Sequence, residues 1–116
     1  MKNTKFYICK NCGNITLSTG NTKIICCNNI IEAQKASKAD KNDALIIEEI
    51  DGERYITSNH PMTKENYISF VAFLKGGEFH FFKQYPEWEV NVRIPKRGRG
   101  RLLWYAADTG LMYMDI

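Results

Sequence analysis

Four cysteines are the residues of this chain best suited to chemistry. Cys9 and Cys12 lie in a Cys-x-x-Cys-Gly segment, and Cys26 and Cys27 follow as an adjacent pair. Four thiolates complete the tetrahedral shell of one zinc or iron ion. Neighbouring Cα atoms lie about 3.8 Å apart and strand side chains alternate, so adjacent cysteines reach one ion only from a turn. The sequence therefore predicts a mononuclear four-cysteine metal site, with buried or disulfide-bonded cysteines as the alternative.

The composition is that of a globular chain. Its 116 residues are 44% hydrophobic and 25% charged, which suits one ordinary domain or two very small ones. Residues 1–7 contain no apolar signal core, and the longest apolar run, 67–74, is shorter than the roughly 20 residues that span a bilayer. We therefore expect a cytoplasmic protein without a membrane partner, in a compartment where reduced thiols favour metal binding over disulfides.

The first 36 residues are predicted to form a small metal-binding domain. Gly13 follows the first cysteine pair, where a tight turn tends to need a positive φ. Residues 15–19 and 22–25 are predicted to pair as a hairpin around Gly20 and Asn21. A domain this small takes part of its folding free energy from the metal. The polar residues 35–43 are predicted to be a linker.

Residues 37–116 are predicted to form a second, all-β domain, an immunoglobulin-like sandwich of seven antiparallel strands. Turn signals at 51–52 and 76–77 and the alternation of apolar and polar residues over 90–94 support this interpretation. We expect Trp88, Trp104 and Tyr105 in its core. The seven strands are predicted at 45–50, 54–57, 67–75, 78–83, 90–94, 102–107 and 111–114.

A basic stretch, residues 95–101, contains lysine and arginine interleaved with glycine. It suits either a patch for phosphate or an acidic partner, or a solvated hairpin tip. We favour the solvated tip and do not expect a nucleic-acid partner.

Four segments of the chain resemble the desulfoferrodoxin family, the two-domain superoxide reductases. Residues 7–13 are similar to the family's Tyr-x-Cys-x-x-Cys-Gly, and Cys26-Cys27-Asn28 is similar to its Cys-Cys-Gly. Residues 60–68 look like His-Pro-Met-x-x-x-His-Tyr-Ile, and residues 105–111 look like Tyr-Cys-Asn-x-His-Gly-Leu. The resemblance covers nearly the whole chain. It implies a desulforedoxin-like first domain with rubredoxin-type iron, zinc being the alternative ion, and it raises a homodimer as an assembly to test.

The resemblance also implies that the family's second iron site is degenerate in this chain. That site takes four histidine nitrogens and one cysteine sulfur, and the matching positions here are Asp43, His60, Asn66, Ala106 and Thr109. Only His60 keeps a strong ligand. A weak carboxylate site that also uses Asp108 is a minor alternative.

We therefore expect a one-electron-transfer protein without the superoxide-reducing site, serving a redox partner that the sequence does not identify. The second hypothesis is a zinc-bound structural or interaction module. The third is a working superoxide reductase, and the sequence lacks the ligands for it.

Overall fold

The computed structural model describes residues 4–96 and 98–116, and these residues contain strands and no helix, as predicted. None of them therefore forms a helix that could cross a membrane. The chain divides into two compact units, Met1–Lys35 and Ala36–Ile116. The strands are β1 (Lys5–Ile8), β2 (Ile15–Ser18), β3 (Ile24–Cys26), β4 (Asn29–Ile31), β5 (Ser37–Lys38), β6 (Ile46–Ile50), β7 (Glu53–Thr57), β8 (Ile68–Lys75), β9 (Glu78–Lys83), β10 (Asn91–Pro95), β11 (Arg101–Ala106) and β12 (Gly110–Asp115).

The first unit consists of two antiparallel two-stranded sheets, β1–β2 and β3–β4. The predicted hairpin between residues 15–19 and 22–25 is wrong, because β2 pairs with β1 and β3 pairs with β4. A tight type I′ hairpin turn needs positive φ at both central residues, and neither Gly20 nor Asn21 adopts one. After β4 the chain returns beside β1, where Tyr7 forms an isolated bridge with Ala33.

The second unit contains two sheets. One has the order β10-β7-β6 and the other β5-β12-β11-β8-β9. All seven predicted strands form, as β6 to β12, and the pairings among these seven are all antiparallel. The predicted linker adds an eighth, very short strand, β5, which pairs in parallel with β12.

The two sheets of the second unit share one core. Ile56 and Ile94 from the smaller sheet belong to the same buried cluster as Val71, Leu102 and Trp104 from the larger sheet. Since each sheet turns one apolar face to this cluster, the unit is the predicted sandwich.

The expectation of a buried Trp88 is wrong. Trp104 is 2% exposed, whereas Trp88 is 72% exposed and lies edge-on to Tyr85 in the loop before β10. Tyr105 is half-buried. Trp88 lies outside the alternating strand pattern, so the sequence offered no signal for its direction.

Candidate metal centre

The first cysteine pair lies in a tight turn that follows β1. The amide of Gly13 donates to the carbonyl of Cys9 at 2.7 Å, and the amide of Cys9 donates to the carbonyl of Asn14 at 2.9 Å. Gly13 has a φ of 77°, as predicted for this position. These bonds fold residues 9–14 into a compact loop, so that Cys9 and Cys12 project toward the same point.

The second cysteine pair lies at the turn between β3 and β4. Cys26 is paired with Asn29 across the hairpin, so Cys27 and Asn28 are its two turn residues. Their φ values are 52° and 64°, the type I′ combination. The Asn29 side chain donates to the Cys27 carbonyl at 3.1 Å and supports the turn. The turn thus removes the strand alternation that would separate the two sulfurs.

The four sulfur atoms converge, and all lie within 4.8 Å of one another. The Cys12 and Cys26 sulfurs are 3.4 Å apart, and those of Cys26 and Cys27 are 4.0 Å apart. Two sulfurs bound at about 2.3 Å to a tetrahedral ion lie about 3.8 Å apart. The cysteines are not joined in disulfides, and their spacing fits one shared ion.

The surroundings of Cys9, Cys26 and Cys27 shift the pKa values of these thiols in different directions. A hydrogen bond from the backbone of Cys12 lowers the pKa of Cys9 to about 7. The neighbouring Cys12 and Cys9 thiols raise the pKa of Cys26 to about 12. A hydrogen bond with Asn11 lowers the pKa of Cys27, but the Cys12 and Cys9 thiols outweigh it, and the pKa is raised. The Cys9 thiolate therefore forms readily, whereas the raised pKa values of Cys26 and Cys27 mean that a cation would favour their thiolates.

The four cysteine residues differ in their exposure to solvent. Cys9 is buried and Cys26 is half-buried, whereas Cys12 and Cys27 are exposed. Asn11 is a residue of this site that the cysteine pattern did not single out. Its signal is its place inside Cys-x-x-Cys, where side chains lie close to the bound sulfurs.

His60, the one strong ligand left at the second set of positions, is held by internal hydrogen bonds. Its Nδ1 lies 2.7 Å from the carbonyl oxygen of Pro61, and its Nε2 lies 2.8 Å from Oδ1 of Asp108. Both partners are oxygens that accept hydrogen bonds. Each ring nitrogen is thus directed at an oxygen of the protein rather than toward a shared metal position.

Asn66 and Asp108 complete this small network. The amide of Asp108 donates to Oδ1 of Asn66 at 3.3 Å. Partial burial raises the pKa of the Asp108 carboxyl, but hydrogen bonds with His60 and Asn66 outweigh it and hold the pKa below its usual value. The minor alternative of a carboxylate site gains no third histidine, cysteine or carboxylate ligand, since among the described residues only the four cysteines form such a cluster.

The remaining three positions offer no strong metal ligand. Ala106 is fully buried and carries only a methyl group. The Thr109 hydroxyl donates to the carbonyl of Gly110 at 3.1 Å. Asp43 ends a turn in which its amide donates to Oδ1 of Asp40 at 3.0 Å.

The basic stretch is partly neutralised by carboxylates of neighbouring strands. Lys96 forms an ion pair with Glu49 at 2.7 Å, and Arg101 forms one with Asp115 at 2.8 Å. Arg97 lies outside the described residues. These pairs reduce the charge that the stretch offers to a phosphate.

Comparisons with known proteins support the fold. Neither a protein-family model nor a curated protein matches the chain. The superoxide reductase from Treponema pallidum has a similar structure, with a TM-score of 0.79 and 15% sequence identity over 96% of each chain. The superoxide reductase from Nanoarchaeum equitans matches with a TM-score of 0.44 and 18% identity, over 71% of this chain and 98% of that chain. The superoxide reductase-like fold that the resemblance implied is confirmed by the first structure, and the chemistry rests on this chain's own residues.

Proposed function

We propose that this protein transfers single electrons through one iron ion held by Cys9, Cys12, Cys26 and Cys27, and that it does not reduce superoxide. The observation that carries the proposal is the convergence of four unpaired sulfurs within 4.8 Å of one another. Bound there, iron would supply a one-electron couple that needs no change of ligands.

The chain's own residues prepare this site for a redox ion in two ways. Four protein sulfurs fill a tetrahedral shell, so no coordination position stays open for a substrate. The backbone amide of Cys12 and the side chain of Asn11 contact the sulfurs of Cys9 and Cys27, and such hydrogen bonds tune a reduction potential. The superoxide reductase-like fold favours iron over zinc, because a structural neighbour with this fold is a redox enzyme.

Loss of superoxide reduction follows from the second set of positions. A ferrous ion there needs several nitrogen donors and a thiolate, in the pattern that the family resemblance implies. His60 instead directs both ring nitrogens at acceptor oxygens, and Ala106 supplies no sulfur. Because these residues do not supply the donors for that second ion, we assign the redox role to the cysteine site.

The test is metal content and spectroscopy of protein purified from its native host. We expect one iron per chain, thiolate-to-iron absorption in the visible range, and reversible bleaching by one equivalent of dithionite. Cys27→Ser should abolish the absorption, whereas His60→Ala should leave it unchanged.

Two results would decide against the proposal. A colourless protein with stoichiometric zinc would assign the site to structure. Two irons per chain, with superoxide consumption that disappears in His60→Ala, would restore the enzymatic hypothesis.

A further inference from the structure

We propose that the outer face of the β3–β4 hairpin and the groove beside it dock an acidic one-electron carrier protein. We call this face the hairpin surface and define it by Ile25, Ile30, Lys10 and Lys35. The inference rests on the proposed function, since it assigns the place where electrons enter or leave the cysteine site.

The hairpin surface has an apolar centre. Ile25 and Ile30 are directly opposite in the β3–β4 register, and they are 62% and 64% exposed. Cross-strand β-branched pairs usually pack against another layer. Two large aliphatic side chains held side by side in solvent mark a contact site more strongly than scattered apolar residues do.

A groove adjoins this pair and carries positive charge. Its volume is about 440 Å³, and its lining includes Lys10, Ile30, Glu32 and Lys35. Lys10 lies inside the Cys-x-x-Cys segment, and Lys35 follows the segment that returns beside β1. An apolar centre with lysines at its rim suits a partner whose apolar patch is ringed by carboxylates.

The charge of the whole unit favours the same partner. Residues 1–35 contain five lysines and a single acidic residue, Glu32, for a net charge of +4, whereas residues 36–116 contain 11 basic and 12 acidic residues. Four thiolates with a ferric or ferrous ion lower this +4 to +3 or +2, so the unit stays positive in both oxidation states. A symmetric contact with the same face of a second copy would bring like charge to it, whereas an acidic protein brings the opposite charge.

The hairpin surface is close to the sulfurs that would pass the electron. Ile25 directly precedes Cys26, and Cys27, which is exposed, lies on the turn of the same hairpin. A carrier bound at the isoleucine pair would therefore contact the same hairpin that carries two of the four metal ligands. The transfer itself moves one electron from the reduced carrier to the ferric site and needs no proton or bond change.

The test uses the full chain and a plant-type [2Fe–2S] ferredoxin as the acidic probe. Binding of the oxidised probe to zinc-loaded protein is measured by calorimetry, and reduction of the iron-loaded protein by the reduced probe is followed by stopped flow. The variants are Lys10→Glu with Lys35→Glu, Ile25→Ser with Ile30→Ser, and the control Lys64→Glu, which makes a charge reversal in the second unit. Dithionite, a small reductant, reports on the iron site without docking.

We expect each double variant to weaken binding and slow reduction by the probe roughly tenfold or more at low salt, with the control near wild type. Raising the ionic strength should remove the effect of the lysine changes, since the Debye length falls to about 8 Å at 0.15 M. Unchanged binding and rate in both double variants would overturn the docking proposal. So would a wild-type dimer that dissociates in Ile25→Ser with Ile30→Ser, which would assign the face to a second copy. Failure of dithionite to bleach the protein would instead refute the proposed function.

Discussion

Gly100 lies in the basic stretch, and its lack of a side chain is required by the sandwich core. A Cβ at this position would lie 2.5 Å from Cε1 and Cζ of Phe73 and 2.7 Å from the carbonyl oxygen of Leu74. Phe73 is 3% exposed and belongs to the core cluster. Leu74 lies in β8, which is hydrogen-bonded to β11 on one side and β9 on the other. Gly100 itself exchanges two hydrogen bonds of 2.9 Å with Ile116. These contacts and hydrogen bonds restrict any movement of Gly100, Phe73 or Leu74 that would make room for a Cβ atom.

Gly100→Ala is therefore expected to destabilise the second unit. Ordinary carbon contacts begin at 3.4 Å, so the Phe73 ring must move by nearly an ångström within a filled core. Overpacking of this kind costs about 1–3 kcal/mol of folding free energy. Because the Cβ would also clash with the carbonyl oxygen of Leu74, we expect a cost in the upper half of this range. A loss of about 2 kcal/mol corresponds to a fall in melting temperature of roughly 8–16 °C for a domain of this size.

The assay is urea denaturation followed by tryptophan fluorescence. Both tryptophans, Trp88 and Trp104, belong to the second unit, so the signal reports on that unit. Gly77→Ala is the matched control, because its Cβ would meet nothing within 4 Å and its φ is not positive. We expect the control to stay within about 0.5 kcal/mol of wild type. A Gly100→Ala protein as stable as this control would refute the packing argument and reopen the basic stretch as a binding loop.

Three further predictions concern the cysteine site and the hydrogen-bond network around His60. Cys26→Ser or Cys27→Ser should release the metal and abolish the protection of amides in β1–β4 from hydrogen exchange, which NMR measures. Tryptophan fluorescence should stay unchanged, because both tryptophans belong to the second unit. Asn28→Gly should keep the type I′ turn and full metal content, whereas Asn28→Val should cost about 1–3 kcal/mol of the first unit's stability, as measured by chelator titration. The lowered pKa of Asp108 implies stability that is present above the unfolded pKa of about 3.9 and is lost as pH falls through the lower, folded pKa. Asp108→Asn should flatten this part of the acid stability curve, and an unchanged curve would contradict the assignment.

Local signals in the sequence were sufficient where a feature depends on neighbouring residues. Asp51 and Gly52 have φ values of 51° and 77°, which is the geometry that their dipeptide predicts for the β6–β7 hairpin. The adjacent cysteines required a turn for steric reasons, and Asn28 supplies its second left-handed residue. Alternation over 90–94 predicted the burial of Val92 and Ile94 correctly.

Features that depend on distant partners were missed. The pairing of β2 with β1 requires knowing that the chain ahead of the first cysteines is a better partner than the segment after Gly20. The two residues of β5 have no apolar pattern, and β12 alone defines them as a strand. The hydrogen bond between His60 and Asp108 joins residues 48 positions apart, and no local sequence pattern predicts it.

The second set of positions lacks the unpaired polar atoms that a metal site without its ion would leave. Ligands stranded by the loss of a metal site would leave buried polar atoms without partners, which costs free energy. Among the described residues such atoms occur only at Thr4 and Arg54, and neither belongs to these positions. His60 instead uses both ring nitrogens, and Asn66 and Asp108 bond to each other. The network thus satisfies its hydrogen-bonding groups within the protein, whereas the cysteine cluster brings together thiols whose ionised forms repel one another. We therefore expect an ion to stabilise the cysteine cluster and not the network around His60.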